Sequence, residues 1–309
     1  MSTAPPAAPP AAPPAAPPRR TRRRDWTGLV FVTPFLAVFT IGIVAPLVYA
    51  SGLSLFRDQL IGGRSFVGLG NYADALTDAR FLEGLSRVAL FLGVQVPIMI
   101  GLALLAALIL DSGRVRAMRF MRIGIFMPYA VPSVVAALMW GFMYGDQFGL
   151  VAQLNEATGL ALPSPLSSTW VLAAIGNVVT WEFVGYNMLI LYAALRAVPE
   201  ELYEAAAIDG AGEVRVALSI KIPALRPALW VATLFSIIGS FQLFNEPNVL
   251  QSLAPAAIST YFTPNMYAYQ LAFNANQVTY SAAVAVLLGA ITVVVAYVAQ
   301  RLTERGNRR

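Results

Sequence analysis

Two carboxylates, Glu182 and Glu246, stand inside stretches otherwise rich in Val, Leu, Phe and Ala. An acid within a membrane costs about 2.5 to 3.5 kcal/mol on insertion scales, so each is expected to face a bundle interior or a wet cavity. On a helix, Tyr186 shares a face with Glu182, while Asn177 and Trp181 form a neighbouring stripe at the same spacing. Further along, Ser236, Gly239, Gln242, Asn245 and Glu246 recur every three or four residues and draw one polar stripe. With Phe241, Phe244, Trp181 and Tyr186 beside it, that stripe has the chemistry a sugar needs: amides and carboxylates for hydroxyls, aromatic faces for the apolar side of the ring. Other readings compete for the same residues. Ser236 and Gly239 suit helix-to-helix packing, Glu182 suits a structural hydrogen bond, and two acids in different spans could relay protons.

Missing residue types narrow the field further. The chain has no cysteine and no histidine, which removes disulfides, thiolate nucleophiles, imidazole bases and the usual zinc or haem ligands. Lysine occurs once, at Lys221, and no G-x-x-x-x-G-K-[ST] surrounds it, so any ATP is handled by another protein.

The elements that must position these side chains are membrane spans. Of 309 residues, 58% are hydrophobic and only 12% charged, against roughly 25% in a soluble domain; the mean hydropathy is +0.65. Six segments are long and apolar enough to cross a bilayer, near 27–52, 86–110, 119–143, 170–194, 228–250 and 279–300. Pro34, Pro46, Pro97, Pro128 and Pro132 inside them predict kinks. The net charge of +5 sits in loops beside these spans, where topology accounts for it without nucleic acid. Seventeen of the twenty-one basic residues fall in the amino tail, the 111–122 and 195–227 loops and the carboxyl tail. The positive-inside rule therefore places both termini and the 195–227 loop in the cytoplasm. Residues 1–24, a Pro/Ala repeat closed by arginines, read as a disordered tail. The first apolar run could instead be a signal sequence, but it is longer than a usual h-region, and Val48-Tyr49-Ala50 is a poor cleavage site.

The 195–227 loop carries "ELYEAAAIDGAG", five acids within Glu200–Glu213 around a block of alanines. Pro199 can open a helix, Glu200 and Glu201 suit its positive end, and Gly210 and Gly212 offer left-handed stops. Pro223 and Pro227 are expected to prevent one continuous rod, giving a short helix, a turn and a second short helix before the fifth span. Ala205, Ala206 and Ala207 leave room for another surface to approach the backbone; an interfacial amphipathic helix is the plainer alternative.

The stretch "EAAAIDGAGEVRVALSIKIPALRP" resembles the EAA loop of permease subunits from binding-protein-dependent ATP-binding-cassette (ABC) importers, with Glu204, Ala205, Ala206, Asp209, Gly210, Ala211, Ile220 and Pro223 in register. Ile222 and Ala217 are mild departures. "FVGLGNY", "WEFVGYNMLILYAALRAVPEELYEAA" and "FQLFNEPNVL" resemble the carbohydrate-uptake branch, similar to maltose, lactose and cellobiose-type permeases, although "QSLAPAAISTYFTPN" replaces that branch's usual Gly-Gly-Pro loop. The resemblance implies an all-α membrane protein, a six-helix bundle of the type I ABC importer (MetI-like) permease fold over residues 25–309, with 195–227 as the cytoplasmic coupling loop. Glu204, Ala205, Ala206, Asp209, Gly210 and Pro223 would meet the ATPase, and Glu182, Trp181, Tyr186, Phe241, Gln242, Asn245 and Glu246 would lie on the pathway of a di- or oligosaccharide. Implied partners are a second permease, two ATPase subunits holding ATP and magnesium, and an extracytoplasmic sugar-binding protein, all at a bacterial plasma membrane. No cofactor or metal is implied in this chain. A proton-coupled secondary transporter using Glu182 and Glu246 is the rival, though no internal repeat accompanies it. A membrane enzyme fares worse, for want of a nucleophile paired with a base.

Overall fold

The computed structural model describes residues 27–59, 62–112, 117–145, 147 and 149–307; the proline-rich tail of residues 1–24, part of the 111–122 loop and the last two arginines lie outside the described residues. Two compact units divide at Val48 and Tyr49. The first contains α1 (Thr27–Phe39), a π turn (Thr40–Val44) and the opening residues of α2 (Ala45–Leu53), whose remainder belongs to the second.

In the second unit a small hairpin, β1 (Phe56–Asp58) and β2 (Arg64–Phe66), pairs Arg57 with Ser65 and leads to α3 (Gly70–Thr77). Asn71 Nδ2 ties them together by donating to the carbonyls of Ser54 at 2.8 Å and Phe56 at 2.6 Å. The long α4 (Ala79–Asp111) starts about two turns before residue 86 because Asp78 caps it, accepting the Arg80 N–H at 2.9 Å. Asp78 Oδ2 also accepts from the hydroxyls of Tyr267 at 2.5 Å and Tyr280 at 3.0 Å. Burial alone would push this carboxyl up; those hydroxyls and the N–H groups of Arg80 and Phe81 outweigh it and hold it below the ordinary value.

The third expected span is broken rather than kinked. α5 (Met118–Phe126) and a 3-10 turn (Met127–Ala130) meet α6 (Ser133–Tyr144) at 98°. The cause is local: Val131 precedes Pro132 and is pushed into the extended region, at φ −82° and ψ 128°. The twelve residues of α6 rise only about 18 Å, short of the roughly 30 Å hydrocarbon core. A short α7 (Leu150–Thr158) comes next, ended by Gly159 at φ +68°.

α8 (Val171–Leu195) matches its expected span closely and packs on α4. Ala103, Ala107 and Leu110 of α4 meet Met188, Leu191 and Leu195 of α8 and Leu225 beyond, the alanines letting the helices close up. Gly185 is required where α8 passes the end of α5: a Cβ there would fall on the Ile125 carbonyl. α9 (Glu200–Ile208) and α10 (Glu213–Val216) build the charged loop. Contrary to expectation, Pro223 and Pro227 do not divide the chain. α10 continues through a π turn (Ala217–Lys221) into α11 (Ile222–Phe241), with Pro223 directly after the π turn, where the α-helical bonding register is already interrupted, and Pro227 inside α11.

The fifth span breaks elsewhere, after Phe241, and resumes as α12 (Asn245–Leu250). Pro247 has no N–H for the carbonyl of Leu243, so a continuous helix would leave that group unpaired. Side chains from the atypical "QSLAPAAISTYFTPN" segment take over: Thr263 Oγ1 donates to the Leu243 carbonyl and Asn265 Nδ2 to that of Phe241, both at 3.0 Å. α13 (Pro264–Tyr269), a π turn (Gln270–Asn274) and α14 (Val278–Asn307) complete the chain. Among the described residues five helical stretches are long and apolar enough to cross a membrane, and the bent pair brings the number to six.

Candidate functional site

The breaks after Ala130 and Phe241 open a cavity of about 370 Å³ between α4, α8, α11 and α12. α4 supplies Phe91, Gln95 and Met99, one face at four-residue spacing. From the other walls come Tyr129 of the 3-10 turn, Ser133, Phe183, Tyr186 and Asn187, and the tip of α11 with its break contributes Ser236, Gly239, Ser240, Gln242 and Phe244. Asn245 and Glu246 open α12 against it, and Asn245 Nδ2 donates to Ser133 Oγ at 3.0 Å. Tyr129 stacks on Tyr186 with ring centres 4.8 Å apart and meets Phe183 edge-on at 5.8 Å, so one wall is an aromatic plate.

Of the residues singled out in the sequence, Tyr186, Ser236, Gly239, Gln242, Phe244, Asn245 and Glu246 line this cavity. Glu182 stands behind them, buried at 3% exposure, in hydrogen-bonding contact with Glu246, which is 6% exposed. The other Glu182 oxygen, Oε2, has no hydrogen-bond partner. Trp181 and Phe241 face elsewhere. Trp181 meets Trp140 edge-on at 5.9 Å beside buried Ala174 and Val178, and Phe241 packs with Val88, Ile237 and Leu288. Asn177, expected beside Trp181, donates to the Tyr144 hydroxyl at 2.7 Å. The single polar stripe is also cut in two, because Gln242 lies past the end of α11. Phe91, Gln95, Met99, Tyr129, Ser133 and Asn187 escaped the sequence reading; Gln95 and Asn187, amides among apolar neighbours in the second and fourth spans, carried the usable signal.

The second candidate surface is the loop. α9 begins after Pro199, which is the cap residue rather than the first helical one, and carries Glu200 and Glu201 in its first turn. It ends at Gly210, φ +71°, with Ala211 N donating to the Ala206 carbonyl at 2.9 Å and Gly210 N to that of Ala207 at 3.1 Å. These two bonds are a Schellman stop, which needs the left-handed residue glycine supplies. Glu204, Ala205 and Asp209 face outward, Ala206 is half-buried, and Ile208 is 87% exposed. Val214 and Leu218 add to this exposed apolar surface.

The inner face of α9 is anchored by Tyr203. Lys221 Nζ lies 5.3 Å over its ring and 2.5 Å from Asp111 Oδ2 at the end of α4. Burial, then the Asp111 charge, pushes the Tyr203 hydroxyl up, and that hydroxyl has no hydrogen-bond partner. Pro223 lies just beyond Lys221, in the first turn of α11. Among the described residues no cluster of acids could hold a metal ion.

Known proteins share this outline. The chain is 32% identical to the diacetylchitobiose uptake system permease protein NgcF of Streptomyces coelicolor, over 93% of this chain and 88% of the relative. It is also 32% identical to the lactose transport system permease protein LacF of Rhizobium radiobacter, over 82% and 85%. The fold is that of a chain in the crystal structure of a bacterial ABC transporter involved in the import of the acidic polysaccharide alginate, with a TM-score of 0.79 at 18% identity over 91% of this chain and 96% of that one. Residues 99–309, which hold most of the cavity and the whole of the α9 loop, match the family described as binding-protein-dependent transport system inner membrane components, and the chain belongs to that family.

Proposed function

We propose that this chain is the permease subunit of an ATP-driven ABC sugar importer, that it forms half of the translocation pathway, and that residues 195–227 couple it to a separate cytoplasmic ATPase. The observation that carries the coupling is α9. Its inner side is fixed to the bundle through Tyr203 and Lys221, whereas its outer side offers Glu204, Ala205 and a bare Ile208 to a partner. Closure of two ATPases around ATP and magnesium would push on α9 and rock the spans between inward-open and outward-open states. The second permease would complete the pathway, as a heterodimer, and an extracytoplasmic binding protein would deliver the cargo.

A di- or oligosaccharide fits the cavity's aromatic plate and amides, and the names of the relatives, diacetylchitobiose uptake and lactose transport, support that class. Both termini and α9 would face the cytoplasm, the side on which seventeen of the twenty-one basic residues fall. Reconstitution with the partner subunits in proteoliposomes tests the reading. Sugar uptake should require ATP and the loaded binding protein, and uptake driven by a pH gradient without ATP would overturn it.

A further inference from the structure

The side chains around the cavity have already committed most of their hydrogen-bond donors. Ser236 Oγ donates to the Ala232 carbonyl and Ser240 Oγ to the Ser236 carbonyl, each at 2.8 Å, so both hydroxyls turn only lone pairs to the cavity. Asn187 Nδ2 donates to the Phe183 carbonyl at 3.0 Å, which fixes the amide's orientation. Its Oδ1, on a residue 1% exposed, is left buried without a partner, an acceptor waiting for a donor. Gln95 Nε2 is spent on Thr180 Oγ1 at 3.3 Å and Met99 Sδ at 3.4 Å, and Asn245 Nδ2 gives one of its two N–H groups to Ser133.

Charge points the same way. Glu246 is the cavity's acid, and among the described lining residues there is no arginine or lysine to balance it. Glu182 is not a counter-ion. It is a second acid, buried at 3% exposure, and brings no positive charge to its neighbour. The donors left over, on Tyr129, Tyr186, Gln242, the Ser133 hydroxyl and the second N–H of Asn245, are uncharged, enough for a sugar's ring and hydroxyl oxygens but not for a buried carboxylate.

We propose that this cavity is a charge filter: it admits sugars bearing hydroxyl or amino groups, turns away those bearing carboxylate or sulfonate groups, and owes this to Glu246 as the specificity-determining residue. This rests on the cavity being part of the sugar pathway. The fold shared with a chain from an acidic-polysaccharide importer therefore does not carry that importer's charge preference with it.

Because the chain has no cysteine, one thiol can be placed in the cavity and read by itself. Gly239 lines the cavity and an added Cβ there meets nothing within 4 Å, so Gly239→Cys suits the purpose, with Ser236→Cys as a second site. In the complete importer, the introduced thiol is reacted with methanethiosulfonates carrying trimethylammonium or sulfonate, with rates corrected for those on a free thiol and for the importer lacking the substitution. The cationic reagent should win by on the order of tenfold or more, the enhancement a cleft lined by one sign of charge gives. Glu246→Gln should bring the ratio towards unity, and Glu246→Arg should invert it. Equal rates in the unsubstituted background, no response to Glu246→Gln, or failure of both reagents to reach either thiol would overturn the filter. Labelling needs no sugar, so its outcome is separate from that of the transport assay. In that assay a neutral disaccharide should be imported and its uronate analogue, supplied on a binding protein that accepts it, should not; equal import of both would also overturn the proposal.

Discussion

Lys221 Nζ lies 2.5 Å from Asp111 Oδ2, and this ion pair joins the π turn before α11 to the last residue of α4. Asp111 stands at the negative end of its helix, where an acid is disfavoured, and the chain's one lysine offsets it there. Both side chains are largely buried, so removing either partner strands a charge. Lys221→Met is expected to cost about 3 to 5 kcal/mol, and Lys221→Met with Asp111→Leu to recover most of it. Melting of the purified complex measures both variants, and equal losses in the single and the double substitution would contradict the account.

The Schellman stop at Gly210 sets the angle at which α9 leaves the bundle. A non-glycine residue at φ +71° carries about 1 to 2 kcal/mol of local strain. Gly210→Asp, and Glu204→Lys on the outward face, should leave the amount of protein in the membrane unchanged. Uptake should fall to background while the ATPases continue to hydrolyse ATP without regard to the loaded binding protein. Paired uptake and phosphate-release assays check this; normal uptake by both variants would remove α9 from the coupling path.

Acid sensitivity should trace in part to Asp78. Its folded value lies below the ordinary carboxylate value, so the stability it contributes is fully present above about pH 4 and is lost as pH falls through the folded value. Asp78→Asn should therefore lower the melting temperature at neutral pH and flatten its decline on acidification. A decline as steep as that of the unsubstituted protein would show that other acids govern it.

Thr263 closes the gap in the fifth span by donating to the Leu243 carbonyl. Thr263→Val keeps the shape but strands that buried carbonyl, at about 1 to 3 kcal/mol, whereas Thr263→Ser keeps the donor. The expected order of thermal stability is Thr, then Ser, then Val, and a valine variant as stable as the serine one would refute the role.

What could be read from the sequence was what repeats. The span over Val171–Leu195 was visible because its mostly apolar run is long enough to cross a bilayer despite Asn177, Glu182 and Asn187, and the α9 loop because Glu204 to Pro223 hold a spacing as well as an identity. Single-residue geometry was harder to see. Val131 before Pro132 announces a kink, but the 98° angle depends on what packs around it. Pro247 signals a missing donor, yet only the fold brings Thr263 and Asn265 to the carbonyls beside it. Phe241 was expected to flank the polar stripe, and as the last residue of α11 it packs instead with Val88, Ile237 and Leu288. Gln95 and Asn187 lie 92 positions apart, and nothing local in either span says that the two amides share one cavity.

The π turn of Ala217–Lys221, closed by the Ile222 N–H on the Ala217 carbonyl, holds one residue more than an α turn. That surplus sets the rotational phase between the face α9 shows to its surroundings and the face α11 shows to the interior. Removing any one of the five would wind the segment back to ordinary pitch and turn the two faces against each other by roughly 100°. Chain length at this joint works like the keying of a shaft: many side chains could fill it, but one fewer would leave both ends intact and mistimed.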